Sequence, residues 1–172
     1  MSVTPSSIST VSPEDAATIR GLHAGFVWGW DKEPDQGHWD FHEIQGRYYD
    51  WSFDGGRFYD DMDPEHRVPR NVEEYRAIWE PTFNKLRSAT HRIEEGPEIF
   101  GTPELVSSRL VFLARLVTAD GSVVDIRTHN SLTWYRFPDG WKIVGDHTSS
   151  TVLEPGAADR LLETLPGAAS WR

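Results

Sequence analysis

Large apolar residues recur at helical spacing in the first half of this chain and at strand-like spacing in the second. From Ser12, the text SPEDAATIRGLHAGFVWGWD places Ile19, Leu22, His23, Phe26, Val27 and Trp30 in one helical stripe. Ser12 can cap that helix, Pro13 suits its first turn, and Glu14 and Asp15 favour the positive end of its dipole. A second, shorter helix is expected over residues 39–49. The turn Asp54-Gly55-Gly56 then leads into a short strand, RFYDDM, ending before Pro64. Asn71 opens a third helix, NVEEYRAIWEPTFNKL, in which Pro81 predicts a kink or break near residues 79–80.

Beyond that helix the pattern is β-rich, in four runs: THRIEEGPEIF, ELVSSRLVFLARLVT, SVVDIRTHNSLTWYRF and GWKIVGDHTSSTV. Asp120-Gly121 signals a tight hairpin between the second and third, and Pro138-Asp139-Gly140 joins the third to the fourth. Three helices followed by an antiparallel meander predict an α+β fold, with helices on one face of a curved sheet. A sheet wrapped round a long helix leaves a cavity at its open end. Residues 1–11 read as a short arm, residues 12–152 as one domain, and residues 153–172 as an extension with a helical patch, ADRLLETL.

Composition narrows the function. The 172 residues suffice for one domain with a core, and 38% hydrophobic with 26% charged residues fits neither a disordered nor a membrane-embedded chain. A net charge of −10 argues against nucleic acid or anionic lipid as partner. With no cysteine there is no disulfide or thiolate chemistry, as suits a cytoplasmic protein. The first ten residues lack the basic and apolar regions of a signal peptide. Eight Trp, eight Phe and five Tyr are enough for a core and for flat walls around a ring-shaped ligand. Nucleotide-binding glycine motifs, G-x-S-x-G and H-E-x-x-H are all absent, so no cofactor and no metal are expected. His38 and His42 alone have the i, i+4 spacing of a helical metal pair.

The ending WKIVGDHTS after Asp139-Gly140 resembles the last two strands of SnoaL-like proteins, within the nuclear-transport-factor-2-like superfamily. The long first helix, Trp39-Asp40 opening the second, an acidic strand end and a helix with Tyr and Trp on one face agree in order. The resemblance covers about residues 12–152. It implies a cone-shaped curved antiparallel sheet around the long N-terminal helix, with two further helices. It also implies a cofactor-free pocket for a small molecule and a homodimer or higher homo-oligomer.

Several residues can carry chemistry there. By similarity to ketosteroid isomerase, the base is Asp60 at the end of the short strand. Asp61 faces the opposite side. By similarity to scytalone dehydratase, His91 is the catalytic histidine where the third helix gives way to strand, and its substrate-binding Asn corresponds to Asn130 or Ser131. Arg127, His129 and Ser131 share one strand face, Thr128 and Asn130 the other, and the sequence leaves open which lines the pocket. Arg109 is a further candidate for binding an anionic group. His147 shares parity with Trp141 and Ile143, which are expected to face inward. Tyr59, Tyr75 and Tyr135 can donate to an oxyanion, and Trp28, Trp39 and Trp79 can form walls.

The expected function is a cofactor-independent lyase, dehydratase or isomerase acting on a hydroxylated aromatic or polycyclic compound. An Asp–Arg–Asp epoxide hydrolase site from Asp60, Arg109 and Asp125 or Asp146 is less favoured. The alternative from another class is a non-catalytic binding or oligomerisation module.

Overall fold

The protein is described by a computed structural model covering residues 9–166 and Trp171. The helices begin where the local capping signals place them. In α1 (Pro13–Trp28), Ser12 Oγ accepts from the Asp15 amide at 3.0 Å, and Ile19, His23, Phe26 and Val27 face inward. In α2 (Phe41–Gln45), Asp40 caps the Glu43 amide at 3.0 Å, and a 3-10 turn follows at Gly46–Tyr48. In α3 (Val72–Asn84), Asn71 caps the Glu74 amide at 2.9 Å. This helix runs through Pro81 without the expected break. Pro81 lies near its C-terminal end, and Thr82 Oγ1 donates to the Ile78 carbonyl one turn back at 2.8 Å.

Five strands form one sheet in the order β1-β5-β4-β3-β2: β1 (Arg57–Asp60), β2 (Leu86–Gly101), β3 (Leu105–Thr118), β4 (Val123–Phe137) and β5 (Gly140–Val152). The four long strands pair antiparallel as a meander, and β1 runs parallel to the outer side of β5. Gly121 (φ 86°) and Gly140 (φ 123°) supply the left-handed conformations that the two hairpin turns demand.

The concave face of the sheet packs on α1 and α3 around an aromatic core. Trp30 stacks on the fully buried Trp39 at 4.9 Å, and Phe41, Tyr75 and Phe83 surround the pair edge-on or tilted. On the convex face, α4 (Ala157–Leu162) buries Ala158 and Leu162. Arg115 anchors that segment, pairing with Asp125 at 2.7 Å and Asp159 at 3.0 Å and lying over the Trp171 ring. The expected arm falls mostly outside the described residues, but Thr10 donates to the Gly101 carbonyl at 2.9 Å. No described helix is long and apolar enough to cross a membrane.

Candidate active site

Between α1, α3 and the concave sheet lies a cavity of about 170 Å³. Its walls are largely apolar, with Phe26, Trp30, Tyr75, Trp79, Phe83 and Phe112 as the aromatic surfaces. Its polar groups come from strand ends: Asp60, His91, Asn130, Asp146 and Thr148. None of the described residues lining it is Lys or Arg.

His91 is positioned by the segment just beyond α1. Lys32 and Ala89 exchange backbone hydrogen bonds of 2.9 and 3.0 Å, pinning that segment against β2 two residues before the histidine. The buried Lys32 ammonium donates to the Leu86 carbonyl at 2.7 Å and the Phe83 carbonyl at 3.3 Å, where α3 ends. Burial pushes that ammonium's pKa down. Asp31 is thereby held so that Oδ1 accepts from both the His91 amide at 2.7 Å and His91 Nδ1 at 2.9 Å. With Nδ1 engaged, Nε2 is the ring nitrogen left free.

Asp60 and Asp146 stand on neighbouring strands. Burial raises the Asp60 carboxyl to about 7, and the charge of Asp146 adds to the rise against one opposing hydrogen bond, from the Met62 amide at 2.9 Å. Burial also raises Asp146 to about 7, although three side chains donate to it: Asn130 at 2.8 Å, Thr148 at 2.9 Å and Tyr75 at 3.2 Å. The neighbouring Asp61 instead accepts from the Ser150 amide at 2.9 Å and the Ser149 hydroxyl at 3.0 Å, fixing β1 to β5.

The structure brings Asp60, Tyr75, Trp79, His91, Asn130 and Asp146 together at the cavity and places the other sequence-derived candidates elsewhere. His147 points to the convex face, not inward. Thr133 pairs with Gly145 but Trp134 pairs with Ile143, so Val144 is an extra residue and the inside–outside alternation inverts. Trp141 and Ile143 are buried as expected; beyond the bulge Asp146 and Thr148 turn inward and His147 outward. Tyr59 follows it to the convex face, its ring 5.1 Å from that of His147, because Phe58 and Asp60 hold the concave side of β1. Inward-facing Ile126, Thr128 and Asn130 likewise leave Arg127 and His129 outside. Arg127 pairs with Glu94 at 2.6 Å, and the exposed Arg109 with Glu98 at 3.3 Å. With Arg109 outside, no Asp–Arg–Asp constellation forms at the cavity. Trp39 is core beneath Trp30 and not a wall.

The sequence reading had not singled out Asp31 or His23 for chemistry. Asp31 carries only a weak signal, a lone carboxylate just past the end of an aromatic helix. His23 lies in the buried stripe of α1, where its Nε2 is 2.7 Å from Asn130 Oδ1 and its Nδ1 is 2.7 Å from Ser108 Oγ.

No family model and no curated protein matches the chain. Solved structures do match it. A nuclear transport factor 2 (NTF2-like) superfamily protein from Salmonella enterica superposes with a TM-score of 0.64 at 18% identity, over 84% of this chain and 95% of that one. A hexachlorocyclohexane dehydrochlorinase (LinA, type 2) gives 0.60 at 14%, over 83% and 90%. The association domain of CaMKII from C. elegans gives 0.51 at 11%, over 79% and 92%. These neighbours include both an enzyme and an association domain, so fold alone does not decide activity. The chain has the cone fold of the NTF2-like superfamily.

Proposed function

We propose that the protein is an acid–base enzyme that eliminates HX from a small ring-bearing substrate, where X is a hydroxyl or another leaving group. The observation that carries this reading is the Asp31–His91 pair presented to the same cavity as Asp60. Asp31 orients the imidazole and offsets the charge of the imidazolium, so His91 Nε2 can take a proton from carbon. The C–H electrons form the new double bond as the C–X bond breaks. Asp60 keeps its proton near neutrality because of burial and the Asp146 charge, and it delivers that proton to the departing X. The apolar walls hold the ring and keep water from the reacting carbon.

The cavity volume supports a single substituted ring, since an engineered cavity of about 150 Å³ takes up benzene. A cavity lined by two carboxyls of raised pKa also favours an enzyme over an assembly module. That a structural neighbour is named a dehydrochlorinase is consistent with elimination. The test is turnover of single-ring alcohols and halides that carry a hydrogen on the carbon next to the leaving group, with alkene followed by NMR. His91→Gln and Asp60→Asn should each lower the rate by ~10²–10⁴. Unchanged turnover in both variants would refute the assignment.

A further inference from the structure

Behind the cavity wall a line of buried side chains runs from β4 through β3 and α1 back to β4 and β5. Trp134 Nε1 donates to Ser108 Oγ at 2.8 Å, and Ser108 Oγ lies 2.7 Å from His23 Nδ1. His23 Nε2 meets Asn130 Oδ1 at 2.7 Å. Asn130 Nδ2 donates to Asp146 Oδ1 at 2.8 Å and to Thr148 Oγ1 at 2.7 Å. Trp134, Ser108 and His23 are fully buried, so water cannot substitute for any of these partners.

The chemistry of its two ends gives this line a direction. An indole only donates, and an ionised carboxylate only accepts. The Ser108 oxygen receives the indole hydrogen, and among the described residues its own hydrogen has only His23 Nδ1 to go to. Burial lowers the His23 pKa to about 4, so near neutrality its ring holds one hydrogen, which must sit on Nε2. That hydrogen claims Asn130 Oδ1 and leaves the amide hydrogens for Asp146 and Thr148.

We propose that His23 is a positioning residue: its tautomer, imposed by Trp134 through Ser108, turns the Asn130 amide hydrogens onto Asp146, so that of the two cavity carboxyls Asp60 is the one that keeps its proton. Burial raises both carboxyls and is deeper at Asp146, so it is the hydrogen bonds that favour ionisation of Asp146 first. Asp146 accepts from Asn130, Thr148 and Tyr75, whereas among the described residues the Asp60 carboxyl accepts only from the Met62 amide. The other titratable groups near Asp146 do not reverse this order. The Tyr49 and Tyr75 phenols stay neutral because burial raises them, and no lysine or arginine lines the cavity among the described residues. His91 at the cavity is engaged by Asp31.

The inference rests on the acid role given to Asp60, but it is read on the ligand-free protein. Failure of the elimination chemistry would appear in turnover, and failure of the relay in NMR. In wild-type protein, ¹⁵N spectra should show His23 in the Nε2–H tautomer from about pH 5 to 9. The ¹³C carboxyl signals, assigned with Asp60→Asn and Asp146→Asn, should show Asp60 titrating at least about one pH unit above Asp146. In Trp134→Phe the Ser108 hydroxyl is released, and Asn130 can present its oxygen to a protonated Asp146. Asp146 should then take up its proton at least about tenfold more readily, and Asp60 less so. A merely structural role for Trp134 would leave both titrations in place. An Nδ1–H tautomer, Asp146 titrating above Asp60 in the wild type, or an unmoved Asp146 in folded Trp134→Phe would each overturn the proposal. If that variant does not fold, the two wild-type measurements still decide.

Discussion

Replacing Asp60 with Asn changes one proton while preserving side-chain shape and the acceptor for the Met62 amide. In the unfolded chain this carboxyl ionises at its ordinary value of 3.8, and in the folded protein at about 7. Between those limits the native state holds a proton that the unfolded state has released. The associated stability is complete below about pH 4 and is lost as pH rises through about 7. At about 1.4 kcal/mol for each pH unit, the full displacement is worth about 4 kcal/mol; because Asp60 is only half-buried, about 1–3 kcal/mol is expected. Asp60→Asn should therefore melt about 3–10 °C above wild type near pH 8 and within about 1 °C of it near pH 4. The difference between the two proteins is the quantity to measure. His23, with its pKa lowered from 6.5 to about 4, destabilises the wild type as pH falls through that range and runs against the carboxyl effect, but it is present in both. Thermal melts or urea titrations at half-unit pH steps supply the comparison. A variant less stable than wild type at pH 8, or a difference that does not vary with pH, would refute the account of Asp60. The expected combination of added stability and lost turnover is the trade usual where a site holds an ionisable group against its solvation preference.

If Asp60 is the acid, kcat/KM should fall on the alkaline side through about pH 7, and a rate that keeps rising above pH 8 would remove it from that role. Asp31→Asn leaves His91 in place but takes the charge that steadies its imidazolium, so turnover should drop about 10²-fold or more with the fold intact by circular dichroism. Trp39→Ala should cost about 3–5 kcal/mol in urea unfolding, since the ring is fully buried and stacked on Trp30. His147→Ala and Tyr59→Phe, on the convex face, should leave cavity-ligand affinity unchanged and shift stability by no more than about 0.5 kcal/mol.

Much of this architecture is legible locally because it is locally determined. Ser12, Asp40 and Asn71 each cap a helix with a side chain that the sequence already displays, and Asp120-Gly121 and Asp139-Gly140 close turns that need a glycine. The resemblance pointed to Asp60 and His91 at a strand end and a helix-to-strand junction, and both line the cavity. Asp31 was not, because its meaning depends on a bridge between Lys32 and Ala89 that joins distant segments. Polar residues on both faces of β4 hid the orientation of Asn130, and the convex ion pairs of Arg127 and Arg109 had no signature along the chain. Pro81 was read as a breaker because the sequence does not reveal how close α3 is to its end.

Val144 has a consequence beyond the residues it displaces. A β-strand works as a two-state phase counter, and one supernumerary residue resets the count for everything downstream. Deleting Val144 would be a frameshift in space with no change of reading frame: His147 would inherit the concave position and Asp146 the convex one, in an otherwise familiar sheet. A carboxylate interior would thus be exchanged for an imidazole interior by the loss of a single residue that itself does no chemistry. Cone-shaped sheets carrying such a bulge have a short route between different interior chemistries, one that residue-by-residue comparison of aligned chains would register only as a gap.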